Sequence, residues 1–340
     1  MKNHDIIKVL IVDDSLLFRE IISRGISIDP SIKVVAVATD PFDARDKIIK
    51  HMPDVMICDV EMPKMNGIEF IRRLLPQYML PVIVVSTISD AVFDAISAGA
   101  VDFLSKPNAI SPNAVESFIL ELVEKVKIAA SANVIKPQML EQRNINSSMK
   151  NVRNKIIAIG ASTGGPQAIS VILKSLPQEM PGIVIVQHIP PVFSRMFAER
   201  LNNTTALFVK EAENGDYIEP GKVFIAPGDK HMRIRRFGDA YKVECFVGEK
   251  VTGHCPSVDV LFESVAKEAG NNAIGILLTG MGYDGAKGLL SMRRKGARTI
   301  GQDEKTSVVY GMPKVAHEIG AVEKQAALDM IPNLIYKVLS

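Results

Sequence analysis

At 340 residues the chain has room for two or three domains of ordinary size. Hydrophobic residues at 47% and charged residues at 23% describe a globular protein, and a formal net charge of +2 gives no electrostatic basis for binding nucleic acid or an anionic membrane. Three cysteines without metal-type spacing, an amino-terminal stretch (MKNHDIIKVLIVDD) that turns acidic too early for a secretory signal, and no apolar run near the ~20 residues a bilayer requires together point to the cytoplasm, without direct membrane insertion.

From residue 7 to 126 short apolar runs alternate with helical patterns. The runs KVLIV, KVVAVA, DVMIC, PVIVVS and VDFLS are β-branched and continuous, each followed by a helix-length segment. This predicts five βα units around a buried parallel sheet, doubly wound by right-handed crossovers. Residues 129–153, AASANVIKPQMLEQRNINSSMKNVR, break the rhythm and carry no sustained period, as an interdomain linker would. The alternation resumes with KIIAIG, GIVIVQ, KVFIA and AIGILLTG, while HMRIRRFGDAYKVECF predicts an antiparallel hairpin. The expected class is α/β with two doubly wound parallel-sheet domains, at 1–127 and 154–340, joined by a linker over 128–153.

Doubly wound sheets gather functional groups at the carboxyl ends of their strands. In the first domain those ends carry Asp13 and Asp14 after LIV, Asp59 after VMIC, Ser86 after VIVV, and Lys106 after DFLS. Three converging carboxylates repel one another, and a hard cation such as Mg²⁺ relieves that penalty. One carboxylate can then act as nucleophile toward a phosphoryl group, with Lys106 neutralising the added charge and Ser86 hydrogen-bonding a phosphoryl oxygen.

The segments VLIVDDS, CDVEMPKMNG, VVSTIS and SAGAVDFLSKP resemble the receiver domain of two-component response regulators, from residue 7 to about 126. The resemblance implies a flavodoxin-like fold, Asp59 as phospho-acceptor, Asp13, Asp14 and Asp59 as the Mg²⁺ ligands, Ser86 and Lys106 as the residues that sense the phosphate, and a histidine kinase as phosphodonor. Asn66 stands where aspartate is common in that family.

In the second domain, IIAIGASTGGP drops from an apolar run into a glycine-rich turn. GASTG fits the G-x-S-x-G nucleophile elbow, and amides at the following helix start could stabilise an oxyanion or a phosphate. The turn matches neither G-x-G-x-x-G nor a Walker loop, and taken alone it leaves both readings open. A serine nucleophile needs a base, and the base an orienting acid. His188 ends the strand GIVIVQ, and Asp284 follows AIGILLTG, so Ser162, His188 and Asp284 would share one sheet edge. Their order, Ser-His-Asp, differs from that of α/β-hydrolases.

The segments GASTGGP, QHIPPVFSRMFAERLN, APGDKHMRI, PSVDVLFESVA and LLTGMGYDGAKGL resemble the catalytic domain of chemotaxis protein-glutamate methylesterases, from about 155 to 338. Cys255 stands where many relatives have arginine. The resemblance implies a Rossmann-like domain with a β-hairpin, Ser162 as nucleophile, His188 as base and acid, Asp284 as its orienter, and backbone amides near Thr163 and Met281 as oxyanion donors. It also implies hydrolysis of γ-glutamyl methyl esters on methyl-accepting chemoreceptors and deamidation of receptor glutamines, with no cofactor for the hydrolysis itself. A receiver-gated module that binds receptors without catalysis is the alternative. The absence of a helix-turn-helix pattern or basic patch argues against a transcription regulator. For regulation, the expectation is that the unphosphorylated receiver covers the Ser162 edge and that phosphorylation at Asp59 loosens this contact.

Overall fold

Each apolar run of the first domain becomes a strand in the computed structural model, which describes residues 6–63, 65–87, 89–107, 111–134 and 154–339. The chain divides into two compact units, Met1–Gln138 and Met139–Ser340. In the first, the elements run β1 (Ile7–Val12), α1 (Leu16–Ile26), β2 (Ile32–Ala38), α2 (Pro41–His51), β3 (Val55–Asp59), α3 (Gly67–Leu74), β4 (Val82–Ser86), α4 (Ser89–Ser97), β5 (Asp102–Ser105) and α5 (Pro112–Ala130). The strands pair in parallel in the order β2-β1-β3-β4-β5. Strands β3 and β4 are buried along their whole length, so the sheet needs cover on both faces. Helix α1 packs with α5, and α3 with α4. Each fully buried Ile or Val stabilises the unit by about 1.5–3 kcal/mol.

Local chemistry starts the helices. Ser15, Asp40, Asn66 and Ser111 accept first-turn amides, and Pro41 and Pro112 open α2 and α5. Asn66 receives the Glu69 amide at 2.8 Å, which explains why asparagine serves in place of aspartate there. Its neighbour must be glycine: a Cβ on Gly67 would lie 2.1 Å from the Asp59 carbonyl oxygen. Helix α5 extends past the expected boundary. Phe118, Leu122, Val126 and Ala129 are all buried, and that stripe keeps residues 128–130 helical. The expected linker over 128–153 therefore begins with the end of a helix, and its part from 135 to 153 lies outside the described residues.

The second unit contains β6 (Ile156–Ala161), α6 (Gly165–Lys174), β7 (Gly182–Gln187), α7 (Phe193–Thr204), β8 (Phe208–Glu211), β9 (Tyr217–Ile218), β10 (Lys222–Ile225), β11 (His231–Phe237), β12 (Ala240–Phe246), α8 (Val258–Glu268), β13 (Ala273–Leu277), α9 (Ala286–Arg294), β14 (Arg298–Gln302), α10 (Met312–Glu318), β15 (Lys324–Ala326) and α11 (Ile331–Leu339). Seven strands form a parallel sheet in the order β15-β14-β13-β6-β7-β10-β8. The central strands β6, β7 and β13 are buried throughout. The expected hairpin is β11–β12, in which Phe237 pairs with Ala240 across the turn Gly238-Asp239, and β9 adds a third antiparallel strand. Helix α8 packs on β11 and on α9. Strands β8, β14 and β15 carry polar residues (FVKE, RTIGQ and KQA) and gave no apolar run to read. No helix among the described residues is long and apolar enough to cross a membrane.

Candidate functional sites at two sheet edges

Strand β6 lies between β7 and β13. The chain builds outward from β6 on the β7 side and later returns to its other flank with β13. That reversal is the topological switch point where doubly wound sheets bind ligands. Ser162 follows β6, His188 follows β7, and Asp284 follows β13.

The turn after β6 is tightly packed. The Ser162 amide donates to the Thr279 carbonyl at 3.0 Å, and the Ser162 carbonyl accepts from the Gly165 amide at 2.7 Å. Gln187 Nε2 donates to the carbonyls of both Ser162 and His188, each at 3.0 Å, and so ties the two turns together. A Cβ on Gly165 would lie 1.9 Å from Gln187 Oε1 and 2.8 Å from the Ala161 Cβ. Gly165→Ala is expected to lower the unfolding free energy by about 1–3 kcal/mol through overpacking, measured as a drop in the urea midpoint; an unchanged midpoint would contradict this close approach.

His188 Nε2 donates to Asp284 Oδ2 at 2.9 Å. With that nitrogen protonated against a carboxylate, the lone pair of the neutral ring is on Nδ1, which is buried and has no hydrogen-bond partner. Ser162 is half-buried. The structure thus joins His188 to Asp284 and sets Ser162 on the adjacent strand end, but among the described residues no hydrogen bond joins the Ser162 hydroxyl to the ring. Such contacts are often open until substrate binds.

Asp284 is held from four sides. Besides His188 it accepts the Ser257 hydroxyl at 2.8 Å, the Val258 amide at 2.7 Å and the Asp259 amide at 3.1 Å. The Ser257 hydroxyl is therefore spent on Asp284, and the first amides of α8 are capped by a carboxylate from another loop. Burial alone would raise the Asp284 carboxyl; the His188 hydrogen bond and charge, with the Val258 amide and Ser257 hydroxyl, outweigh it and hold the group well below the usual carboxylate range. Asp259 next to it is pushed up to about 6, chiefly by burial, against the Gly288 amide that bonds it at 2.7 Å.

Of the two residues expected to supply oxyanion donors, Thr163 is buried and its carbonyl accepts from Thr279 Oγ1 at 2.9 Å. Met281 lies in the loop after β13, where among the described residues its amide finds no acceptor. That loop presses on the Ser162 turn: a Cβ on Gly280 would lie 2.7 Å from the Ser162 Cβ.

Sequence reading missed Gln187, His231, Ser257 and His254. His231 is buried, accepts the Ser257 amide on Nδ1 at 3.2 Å and meets the Glu249 carbonyl with Nε2 at 2.8 Å. His254 stacks on His188, with ring centroids 3.8 Å apart and planes 13° from parallel. Ser257, the residue before α8, holds an aspartate from a loop 27 residues later, a contact that no local pattern signals.

The first unit gathers its own set. One oxygen from each of Asp13, Asp14 and Asp59 lies within 4.8 Å of the others, with Asp13 and Asp59 buried and Asp14 exposed. Lys106 Nζ stands 2.6 Å from Asp59 Oδ2 and 2.8 Å from Asp13 Oδ2. Ser86 is buried at the end of β4, where its carbonyl accepts the Lys106 amide at 3.0 Å. Burial raises the Asp59 carboxyl despite Lys106, and the paired aspartates raise Lys106 against its own burial. The oxygens fit a hard divalent cation: they are all carboxylate and close together.

Residues 157–335 match the CheB methylesterase family, and residues 9–114 match the response regulator receiver domain. A protein-glutamate methylesterase/protein-glutamine glutaminase of Syntrophomonas wolfei is 57% identical over 98% of both chains. One from Syntrophotalea carbinolica is 50% identical over the same shares. The crystal structure of the Thermotoga maritima CheB methylesterase catalytic domain is 38% identical, with a TM-score of 0.53, covering 54% of this chain and 98% of that one.

Proposed function

The chain belongs to the CheB methylesterase family, with a receiver domain ahead of the esterase domain, and on that premise we propose that Ser162, His188 and Asp284 hydrolyse methyl esters of glutamate side chains on chemoreceptors. The enzyme is a protein-glutamate methylesterase/protein-glutamine glutaminase and a response regulator, and its working place is the cytoplasm. His188 Nδ1 takes the Ser162 proton as Oγ attacks the ester carbonyl. Amides near Thr163 and Met281 receive the developing oxyanion. His188 returns the proton to the departing methanol, and water then releases the acyl group from Ser162. A glutamine side chain follows the same path with ammonia as the leaving group. The observation that carries this reading is the His188–Asp284 pair: the carboxylate is saturated with donors and kept ionised, and Nδ1 is left unpartnered. The same pair speaks against a module that only binds receptors, which would have no use for an oriented base.

In the receiver, Asp59 accepts a phosphoryl group from a histidine kinase. Asp13, Asp14 and Asp59 would hold Mg²⁺, which when bound offsets the charge of the phosphoryl oxygens. Lys106, already against Asp59, turns its ammonium to the new phosphate, and Ser86 donates its hydroxyl. Phosphorylation raises hydrolysis. Methanol release from methylated receptor membranes should therefore rise when a small phosphodonor and Mg²⁺ are added to the wild type. Asp59→Asn should keep its basal rate and not respond; a response of wild-type size would exclude Asp59 as the acceptor.

A further inference from the structure

We propose that His254 is a positioning residue for this hydrolysis: its imidazole, stacked on His188, sets the plane in which Nδ1 meets the Ser162 hydroxyl and carries one face of the imidazolium that forms when the proton moves. The proposal rests on His188 being the base. The His188 ring is otherwise held by one hydrogen bond, Nε2 to Asp284 at 2.9 Å. One bond fixes an atom but leaves the ring free to swing about that contact. A second ring 3.8 Å away and within 13° of parallel removes the freedom.

His254 is itself well anchored. Its backbone pairs with Val251 through two hydrogen bonds of 3.0 Å. The buried His231 clasps the loop on both sides, bonding the Glu249 carbonyl at 2.8 Å and the Ser257 amide at 3.2 Å. The backbone that carries the stacked ring is therefore held in place by the loop before α8. The plate is also uncharged at neutral pH. Burial, then the neighbouring His188 and Lys250, oppose a charge on His254, Asp284 favours one, and the balance pushes the group down to about 4. A neutral ring presents a π-face to the cation that His188 becomes; a protonated one would place two positive rings face to face.

The test is kcat and KM for methanol release by the full chain in His254→Ala, His254→Leu and His254→Phe, with Ser162→Ala on the same membranes. Loss of the stack should lower kcat of the Ala and Leu variants by about tenfold or more and leave KM within about twofold, because orientation of the base is lost and receptor binding is not. Leu fills the volume without a π-face, so packing alone would spare it. The Phe variant should return kcat to within about threefold of wild type. A smaller loss in Leu, or a smaller recovery in Phe, overturns the proposal; this pair decides it even if the Ala variant fails to fold. Wild-type activity in Ser162→Ala would instead refute the site on which the proposal rests.

Discussion

Ser162→Ala is expected to lower methanol release from methylated receptors by about 10⁵-fold or more, with KM nearly unchanged. Losing a serine nucleophile removes the covalent path entirely, and only the oriented oxyanion donors and binding remain. The fold should tolerate the change. The turn is held by backbone contacts, namely the Ser162 amide to Thr279 and the Ser162 carbonyl to Gly165 and Gln187, none of which involves the hydroxyl. An unchanged urea midpoint beside a lost rate would place the effect in the chemistry. Unchanged methanol release would sink the esterase assignment of this turn.

Asp284→Asn should cost kcat about 10³–10⁴-fold through the wrong tautomer of its partner. Every group facing the carboxylate is a donor: His188 Nε2, the Ser257 hydroxyl, and the Val258 and Asp259 amides. A carboxamide has one oxygen, so its NH₂ must confront a donor. The ring can relieve this only by accepting on Nε2, which moves its proton to Nδ1 and removes the base. Stability should change as well, by about 1–3 kcal/mol from a buried donor left without an acceptor. The sign with pH follows from the depressed carboxyl. Its contribution is fully present above the ordinary carboxylate pKa of about 4 and is lost as pH falls toward the lower folded value. Between pH 6 and 2 the wild type should lose stability more steeply than the Asn variant. A rate within about tenfold of wild type would exclude Asp284 as the orienting acid.

Much of this was legible because it is local. Continuous apolar runs such as VMIC and VIVV, each followed by a helix-length segment, read as strands buried on both faces, and a strand's carboxyl end is where a doubly wound sheet exposes its loops. That Asp59, Lys106, Ser162 and His188 stand at strand ends could be read that way without coordinates. The short polar strands β14 and β15 could not, since Arg298–Gln302 is a strand through its pairing with β13 and not through its composition. Nor did composition locate the end of α5, because the apolar spacing through Ala129 is interrupted by Lys125 and Lys127 and shows as a stripe only when wound on a helix.

By itself the sequence determined two α/β units, the residues at their strand ends and the family to which they are similar, because periodicity and strand-to-loop order are properties of neighbouring residues. Only the tertiary structure decided what surrounds His188. The donors that keep Asp284 ionised come from the start of α8, the ring that covers His188 comes from the loop before it, and the amide of Gln187 locks the Ser162 turn to the His188 turn. These contacts join segments up to 96 residues apart, as in the His188–Asp284 pair, and depend on burial and direction, which strand order alone does not encode.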